Sequence, residues 1–144
     1  MTESKKILVA EDDDLARELM CRTLERQGYA VTTAEDGLKA YELALDLRPD
    51  LIITDVSMPG ADGAHFVRRV RDTGDLSATP IIVTTGFGTG SATYTLSIGA
   101  DAYEPKPVNP VSLLETVRRL LAKDDGGGAA AGQSGDGDLR SGDF

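Results

Sequence analysis

The fold is indicated most clearly by the segment Asp50-Leu-Ile-Ile-Thr-Asp55, which Met58-Pro59-Gly60 follows closely. A short apolar run bounded by turn residues is typical of a buried strand in a parallel sheet. Three further short runs also end in polar residues: Ile7–Ala10 before Glu11 and Asp12, Ile81–Thr84 before Thr85, and Ala102–Pro105 before Lys106. Because the carboxyl ends of parallel strands share one edge of an open sheet, we expect these polar side chains to meet there.

Strand and helix patterns alternate along the chain, which predicts βαβ units and an α/β fold. The predicted strands are residues 6–10, 29–33, 51–54, 81–84 and 101–104, and the predicted helices are 14–27, 36–47, 63–71 and one that begins at Asn109 and Pro110. Right-handed crossovers then give a five-stranded parallel sheet in a doubly wound, three-layer (βα)5 sandwich. Glycine and β-branched residues fill the fourth crossover, residues 86–98, so we expect its helix to be short or disordered.

Helical spacing assigns faces to two of these helices. On the first helix Leu15, Leu19 and Leu24 recur near the helical period, which predicts an apolar face against the core. On the third helix Arg68, Arg69 and Arg71 are expected to form a solvated face, and His65 is expected to face solvent.

Composition excludes several classes of function. The 144 residues carry a net charge of −9, which disfavours nonspecific binding to nucleic acid or to an anionic membrane. A single cysteine, Cys21, excludes an internal disulfide and a cysteine-based zinc site. The N-terminus is polar and no apolar stretch reaches the length of a signal or membrane segment, so a cytoplasmic location is expected. Residues 1–123 are predicted to form one domain, and the Gly/Ala/Asp-rich residues 124–144 a disordered tail.

The residue types at the sheet edge match metal-assisted phosphoryl chemistry. Mg²⁺ prefers oxygen ligands, which Asp12, Asp55 and the nearby Glu11 would supply. A carboxylate oxygen can attack phosphorus, while Lys106 and Thr85 could neutralise or bind the phosphoryl oxygens. Taken singly, each residue has a simpler interpretation, because the acids also favour a helix N-terminus and Asp55 also suits a turn.

Five motifs in register carry a resemblance to a known family. The motifs are Ile7–Asp13, Asp50–Asp55 with Met58-Pro59-Gly60, Gly63, the strand ending in Thr85, and Gly99–Pro107. Over residues 5–122 the chain resembles the receiver domain of two-component response regulators, which implies a flavodoxin-like fold. Thr84–Gly88 is also similar to the signature of the FATGUY receiver subgroup, although Val83 departs from its leading phenylalanine.

The resemblance implies a role for each matching position. Asp55 would be the phosphoacceptor and a metal ligand. Asp12 would bind Mg²⁺ directly, Glu11 would bind it largely through water, and Ser57 would provide its backbone carbonyl as a further ligand. Mn²⁺ could substitute for Mg²⁺. Thr85 and Lys106 would bind the phosphoryl group, Thr85 and Tyr103 would be switch residues, and the bond before Pro107 would be cis.

The resemblance implies a phosphorylation switch that acts through proteins. The expected donor is a histidine kinase or phosphotransfer protein, and the expected output is an unidentified downstream protein bound by a monomer or a phosphorylation-dependent dimer. The chain is expected to stand alone as a single-domain regulator and to catalyse only its own phosphorylation and dephosphorylation. Two alternatives stay open: a receiver-like binding module without phosphorylation, and a phosphohydrolase of the haloacid-dehalogenase kind.

Overall fold

The computed structural model describes residues 4–56, 63–86 and 97–125. Five parallel strands form one sheet in the order β2-β1-β3-β4-β5. The strands are β1 (Lys6–Ala10), β2 (Ala30–Ala34), β3 (Leu51–Asp55), β4 (Ile81–Thr85) and β5 (Ala102–Pro105). The predicted parallel α/β sheet is therefore confirmed, with β3 and β4 each extending one residue beyond the prediction to include Asp55 and Thr85.

Four helices connect or follow the strands in the described part of the chain. They are α1 (Asp14–Glu25), α2 (Gly37–Leu47), α3 (Gly63–Arg71) and α4 (Pro110–Asp125), and a short 3₁₀ turn covers Gly74–Leu76. Side chains cap three helix starts: Asp13 accepts from Ala16 N, Asp36 from Lys39 N, and Asn109 from Ser112 N. Each cap satisfies a backbone N–H that the helix itself leaves without a partner.

The sheet separates two apolar layers, as the three-layer prediction requires. On one side α2 and α3 bury Ala40, Ala44, Phe66, Val67 and Val70 against Leu8, Ile52, Ile81 and Val83. On the other side α1 and α4 bury Met20, Leu24, Leu113 and Val117 against Ile7, Val9, Leu51, Ile53 and Ile82. The central strands are apolar on both faces because helices cover both faces.

Two expectations about helix faces are wrong in part. Leu24 is buried as predicted, but Leu15 and Leu19 are 66% and 56% exposed, because α1 turns Met20 and Leu24 toward the sheet. Arg71 does not join a solvated face: its guanidinium donates to the carbonyls of Gly99 and Thr79 and pairs with Asp101 at 2.9 Å. Arg71 thereby ties the end of α3 to the start of β5.

Other expectations fall partly on residues that the structure does not describe. Residues 87–96 of the fourth crossover and 57–62 after β3 lie outside the described ranges, as do 126–144 of the predicted tail. Helix α4 runs to Asp125, two residues past the predicted domain boundary. Within the described ranges, no helix is both long enough and apolar enough to cross a bilayer.

Candidate functional site

Three carboxylates meet at the carboxyl edge of the sheet. Glu11 and Asp12 directly follow β1 and Asp55 ends β3, and these two strands are hydrogen-bonded neighbours. One carboxylate oxygen from each residue lies within 4.8 Å of the others. Glu11 is fully buried, Asp55 is 3% exposed, and Asp12 is exposed to solvent. Clustered oxygens of this kind fit a hard divalent cation, which would also relieve their mutual repulsion.

Lys106 supplies the positive charge of the cluster. Its Nζ donates to Asp55 Oδ2 at 3.0 Å and lies 3.0 Å from Glu11 Oε1. Burial of the amine lowers its pKa, but the hydrogen bond to Asp55 and the pairing with Glu11 raise it more, so the pKa of Lys106 is raised overall. The lysine therefore stays protonated at neutral pH and bridges two strands that it does not belong to.

The environment of Glu11 has opposing effects on the pKa of its carboxyl. Burial raises the pKa of its carboxyl, and the nearby charge of Asp55 raises it further, while the Asp13 N–H and Lys106 lower it. The Asp13 N–H donates to Glu11 Oε2 at 3.0 Å, so the turn that starts α1 also holds this carboxylate in place. The net effect is a raised pKa, which means that ionising Glu11 is costly in the folded protein.

Thr85 presents a buried hydroxyl at the end of β4, the strand beside Asp55. Its side chain is 1% exposed, and Oγ1 has no hydrogen-bond partner within the described structure. A buried hydroxyl without a partner is costly, so its presence on the strand next to that of Asp55 suits a donor for an acceptor that is not yet bound. A phosphoryl group on Asp55 would provide such an acceptor.

The remaining predicted positions are distributed around this centre. Tyr103 lies on β5 with 37% of its surface exposed, and the Lys106–Pro107 peptide bond is cis. Ser57, whose carbonyl was expected to join the metal site, lies outside the described residues. The structure thus brings Glu11, Asp12, Asp55 and Lys106 together, with Thr85 on the adjacent strand.

Sequence reasoning missed two supporting contacts, one made by Arg17 and one made by Gly63, the residue already expected to begin α3. Arg17 donates to the Glu11 carbonyl at 2.9 Å and to Asp14 at 2.6 Å, so it fixes the backbone that carries the acidic pair. Gly63 begins α3 against the backbone of Asp55, where any Cβ would collide with the Asp55 carbonyl and Val56 Cα. A glycine that opens a helix shortly after the key aspartate is a readable signal, whereas the Arg17 contact depends on side-chain placement.

An apolar groove of about 250 Å³ opens next to the site between α1 and α4. Asp13 and Pro107, each adjacent in sequence to a site residue, lie at its rim. The rest of the groove is lined mainly by Leu15, Leu19, Met20, Val108, Pro110 and Leu113. The exposure of Leu15 and Leu19 is therefore part of a continuous apolar surface beside the carboxylates.

Comparisons with known proteins agree with this geometry. The family model of the response regulator receiver domain matches residues 7–118. The chain is 42% identical over 130 residues to the response regulator MprA of Mycolicibacterium vanbaalenii, covering 88% of this chain and 55% of that protein. It is 41% identical over 119 residues to MprA of a Mycobacterium species, covering 82% and 51%. The chain thus spans about half the length of these curated relatives.

Solved structures give the same result. The chemotaxis response regulator CheY4 of Vibrio cholerae superposes with a TM-score of 0.75 at 35% identity, covering 81% of this chain and 98% of that one. The receiver domain of a signal transduction histidine kinase from Syntrophus aciditrophicus superposes with a TM-score of 0.76 at 32% identity, covering 91% and 96%. Because the family model matches residues 7–118, this chain belongs to the response regulator receiver domain family.

Proposed function

We propose that Asp55 accepts a phosphoryl group from a phosphohistidine donor and that this modification switches a protein-binding surface. The observation that carries the proposal is the pairing of a nearly buried Asp55 carboxylate with the Lys106 ammonium at 3.0 Å, inside a cluster of three acids. Phosphoryl transfer requires positioning and charge neutralisation rather than complex covalent chemistry, and this arrangement supplies both.

The chain's own residues take distinct parts in the transfer. A carboxylate oxygen of Asp55 attacks phosphorus, the phosphorus–nitrogen bond of the donor breaks, and its electron pair returns to the imidazole of the donor. Lys106 donates to a phosphoryl oxygen and offsets the charge of the transferred group. The Thr85 hydroxyl, which has no partner in the described structure, donates to another phosphoryl oxygen. Water later attacks phosphorus, the bond between phosphorus and the Asp55 oxygen breaks with its electron pair staying on that oxygen, and inorganic phosphate leaves as the carboxylate is restored.

Glu11, Asp12 and Asp55 would hold the divalent cation, and their oxygen-only donor set favours Mg²⁺, with Mn²⁺ as a substitute. The Ser57 carbonyl is proposed as a further ligand. When bound, the cation supplies positive charge against the phosphoryl oxygens. Glu11 and Asp12 contribute by orienting their oxygens from the turn that Asp13 and Arg17 hold in place.

The proposed partners approach the same edge of the sheet. A histidine kinase or phosphotransfer protein must bring its phosphohistidine over Asp55, and the apolar groove between α1 and α4 lies directly beside that approach. Leu15 and Leu19 would contact the donor. Tyr103 and Thr85, on neighbouring strands β5 and β4, are proposed to carry the switch to a downstream protein.

The test is direct modification of the purified chain. Acetyl phosphate or beryllofluoride with Mg²⁺ should give an adduct on wild type, detected by intact mass or by ¹⁹F resonance, and none on Asp55→Asn. Absence of an Asp55-dependent adduct would favour a binding module without phosphorylation. Steady turnover of p-nitrophenyl phosphate at enzyme-like rates would instead favour a phosphohydrolase.

A further inference from the structure

Strand β5 places Lys106 in the site, yet it has little backbone support of its own. It is a four-residue strand at the edge of the sheet, and in the described part of the chain it pairs with β4 alone. Pro105 has no N–H to contribute to that pairing. The first backbone bond beyond it is Lys106 N to the Thr85 carbonyl at 2.8 Å. A lysine carried by such a strand needs a second anchor to stay within 3.0 Å of Asp55.

Glu104 supplies an anchor of unusual chemistry. Its side chain is 4% exposed, and its carboxylate accepts from Ser112 Oγ at 2.8 Å and from Thr116 Oγ1 at 2.8 Å. Ser112 and Thr116 are one helical turn apart on α4, so the two hydroxyls grip both carboxylate oxygens from one face of the helix. Among the described residues Glu104 forms no ion pair, so these two hydroxyls are the partners of its carboxylate.

Packing alone does not call for a carboxylate at this position. Ala102, on the same face of β5, and Leu113 and Val117 of α4 pack in the apolar layer between sheet and helix. An apolar side chain would join that layer without the cost of burying a charge. Hydrogen bonds differ from apolar contacts in being directional, so the carboxylate fixes β5 relative to α4 more tightly than packing would.

The anchored strand is also in register with the reactive aspartate. Glu104 lies opposite Thr84 on β4, and Thr84 lies opposite Asp55 on β3. The three residues form one row across the sheet, and Lys106 follows two positions beyond Glu104, directly after the strand ends. A shift of β5 would therefore move the Lys106 ammonium relative to Asp55, while leaving Glu11 and Asp12 on the far side of β3 in place.

We propose that Glu104 is a positioning residue for phosphoryl transfer: by fastening edge strand β5 to α4 through Ser112 and Thr116, it holds Lys106 Nζ against Asp55. The inference rests on the proposed function of Asp55. Glu104 itself touches none of the reacting atoms.

The experiment measures the rate of Asp55 phosphorylation by acetyl phosphate as a function of donor and Mg²⁺ concentration. Glu104→Ala should lower the limiting rate roughly tenfold, as expected for a misplaced catalytic group. The apparent affinity for Mg²⁺ should stay within about twofold, because the carboxylates that hold the cation lie on other strands. Glu104→Gln, which keeps an acceptor oxygen and the side-chain shape, should restore most of the rate. Glu115→Gln changes an exposed acid of the same helix and is the matched control.

A double-mutant cycle separates positioning from general structural support. In a Lys106→Met background, Glu104→Ala should cause no further loss of rate, because the group that it positions is gone. An equal loss in both backgrounds, or a wild-type rate for Glu104→Ala, would overturn the proposal. Should Glu104→Ala fail to fold, Ser112→Ala and Thr116→Val each remove one hydroxyl, and unchanged rates in both would overturn it as well. Absence of an adduct on wild type would instead remove the proposed function itself.

Discussion

Neutralising Asp55 should stabilise the protein when divalent cations are removed. Asp55→Asn keeps the shape of the side chain and deletes one charge from a cluster of three carboxylates, of which Glu11 and Asp55 share the Lys106 ammonium. The variant cannot be phosphorylated on residue 55, yet its fold should be retained. Whether the variant is more or less stable depends on two opposing effects in wild type. Lys106 attracts the Asp55 carboxylate, whereas repulsion by Glu11 and Asp12 and the cost of burying the charge oppose it.

The structure allows that balance to be worked out. With an effective dielectric constant near 20, Lys106 at 3.0 Å attracts Asp55 by about 5.5 kcal/mol, and Glu11 within 4.8 Å repels it by about 3.5 kcal/mol. Asp12 is exposed, so its repulsion is nearer to about 1 kcal/mol. These charge interactions almost cancel. Taking a carboxylate that is 3% exposed out of water costs several kcal/mol more, so desolvation decides the sign. We expect Asp55→Asn to gain about 1–3 kcal/mol.

Urea unfolding in EDTA and in Mg²⁺ measures this gain. At a Mg²⁺ concentration ten times the dissociation constant, the free energy of unfolding of wild type should rise by about 1.4 kcal/mol. That of Asp55→Asn should rise by less, so Mg²⁺ should reduce the difference in stability between the two proteins. Asp101→Asn is the matched control, because Asp101 pairs with Arg71 at 2.9 Å, away from the cluster. This variant should lose up to about 1 kcal/mol of stability, by the same amount in both buffers. If Asp55→Asn is less stable than wild type in EDTA, or if Mg²⁺ leaves the difference in stability unchanged, repulsion and burial of the Asp55 carboxylate do not destabilise the metal-free protein.

Three further predictions follow from neighbouring groups. Thr84→Val and Thr85→Val each delete a buried hydroxyl without a partner among the described residues. Both variants should stabilise the unmodified protein by about 1 kcal/mol, measured by urea unfolding. Only Thr85→Val should weaken the binding of beryllofluoride. Burial raises the pKa of the Glu11 carboxyl above 4.5, so the protonated carboxyl stabilises the fold fully below pH 4.5, and this stabilisation is lost as the pH rises through the raised pKa. In EDTA, the stability of Glu11→Gln relative to wild type should therefore increase as the pH rises through the raised pKa. A difference in stability that does not change with pH would contradict this prediction. Leu15→Ser with Leu19→Ser should slow transfer from a cognate histidine kinase roughly tenfold and leave the acetyl phosphate rate unchanged, whereas equal slowing by both donors would exclude a docking role.

The positions of the strands and helices could be predicted from the sequence because they depend on patterns of neighbouring residues. Strand β1 and helix α3 have the predicted bounds, since a lysine followed by four apolar residues and a glycine-initiated helix leave few alternatives. The meeting of Glu11, Asp12 and Asp55 was also predictable, because parallel topology forces strand ends together. The orientation of α1 was not. Leu15 and Leu19 form a stripe beside that of Met20 and Leu24, and helical period alone does not say which stripe faces the sheet.

Side-chain partnerships were beyond the sequence for a related reason. That Lys106 bridges Glu11 and Asp55, or that Glu104 accepts from Ser112 and Thr116, depends on distances between elements far apart in the chain. Glu104 in an otherwise strand-like run could as well have faced solvent. A charged residue in a short edge strand gives no sign of its burial until the helix that covers it is placed.

The bridging lysine also links cation binding to phosphorylation. In the unmodified protein one positive charge is shared by two buried carboxylates, and a third carboxylate, Asp12, lies beside them. A phosphoryl group on Asp55 brings further negative charge and a new acceptor for the third N–H of Lys106. Because the same ammonium must then neutralise more anions, Glu11 and Asp12 should bind a divalent cation more tightly in the modified protein. Reciprocity requires that the cation stabilise the phosphorylated form by the same factor. A cation affinity that is equal in the free and beryllofluoride-bound protein would show that Lys106 does not couple the two events.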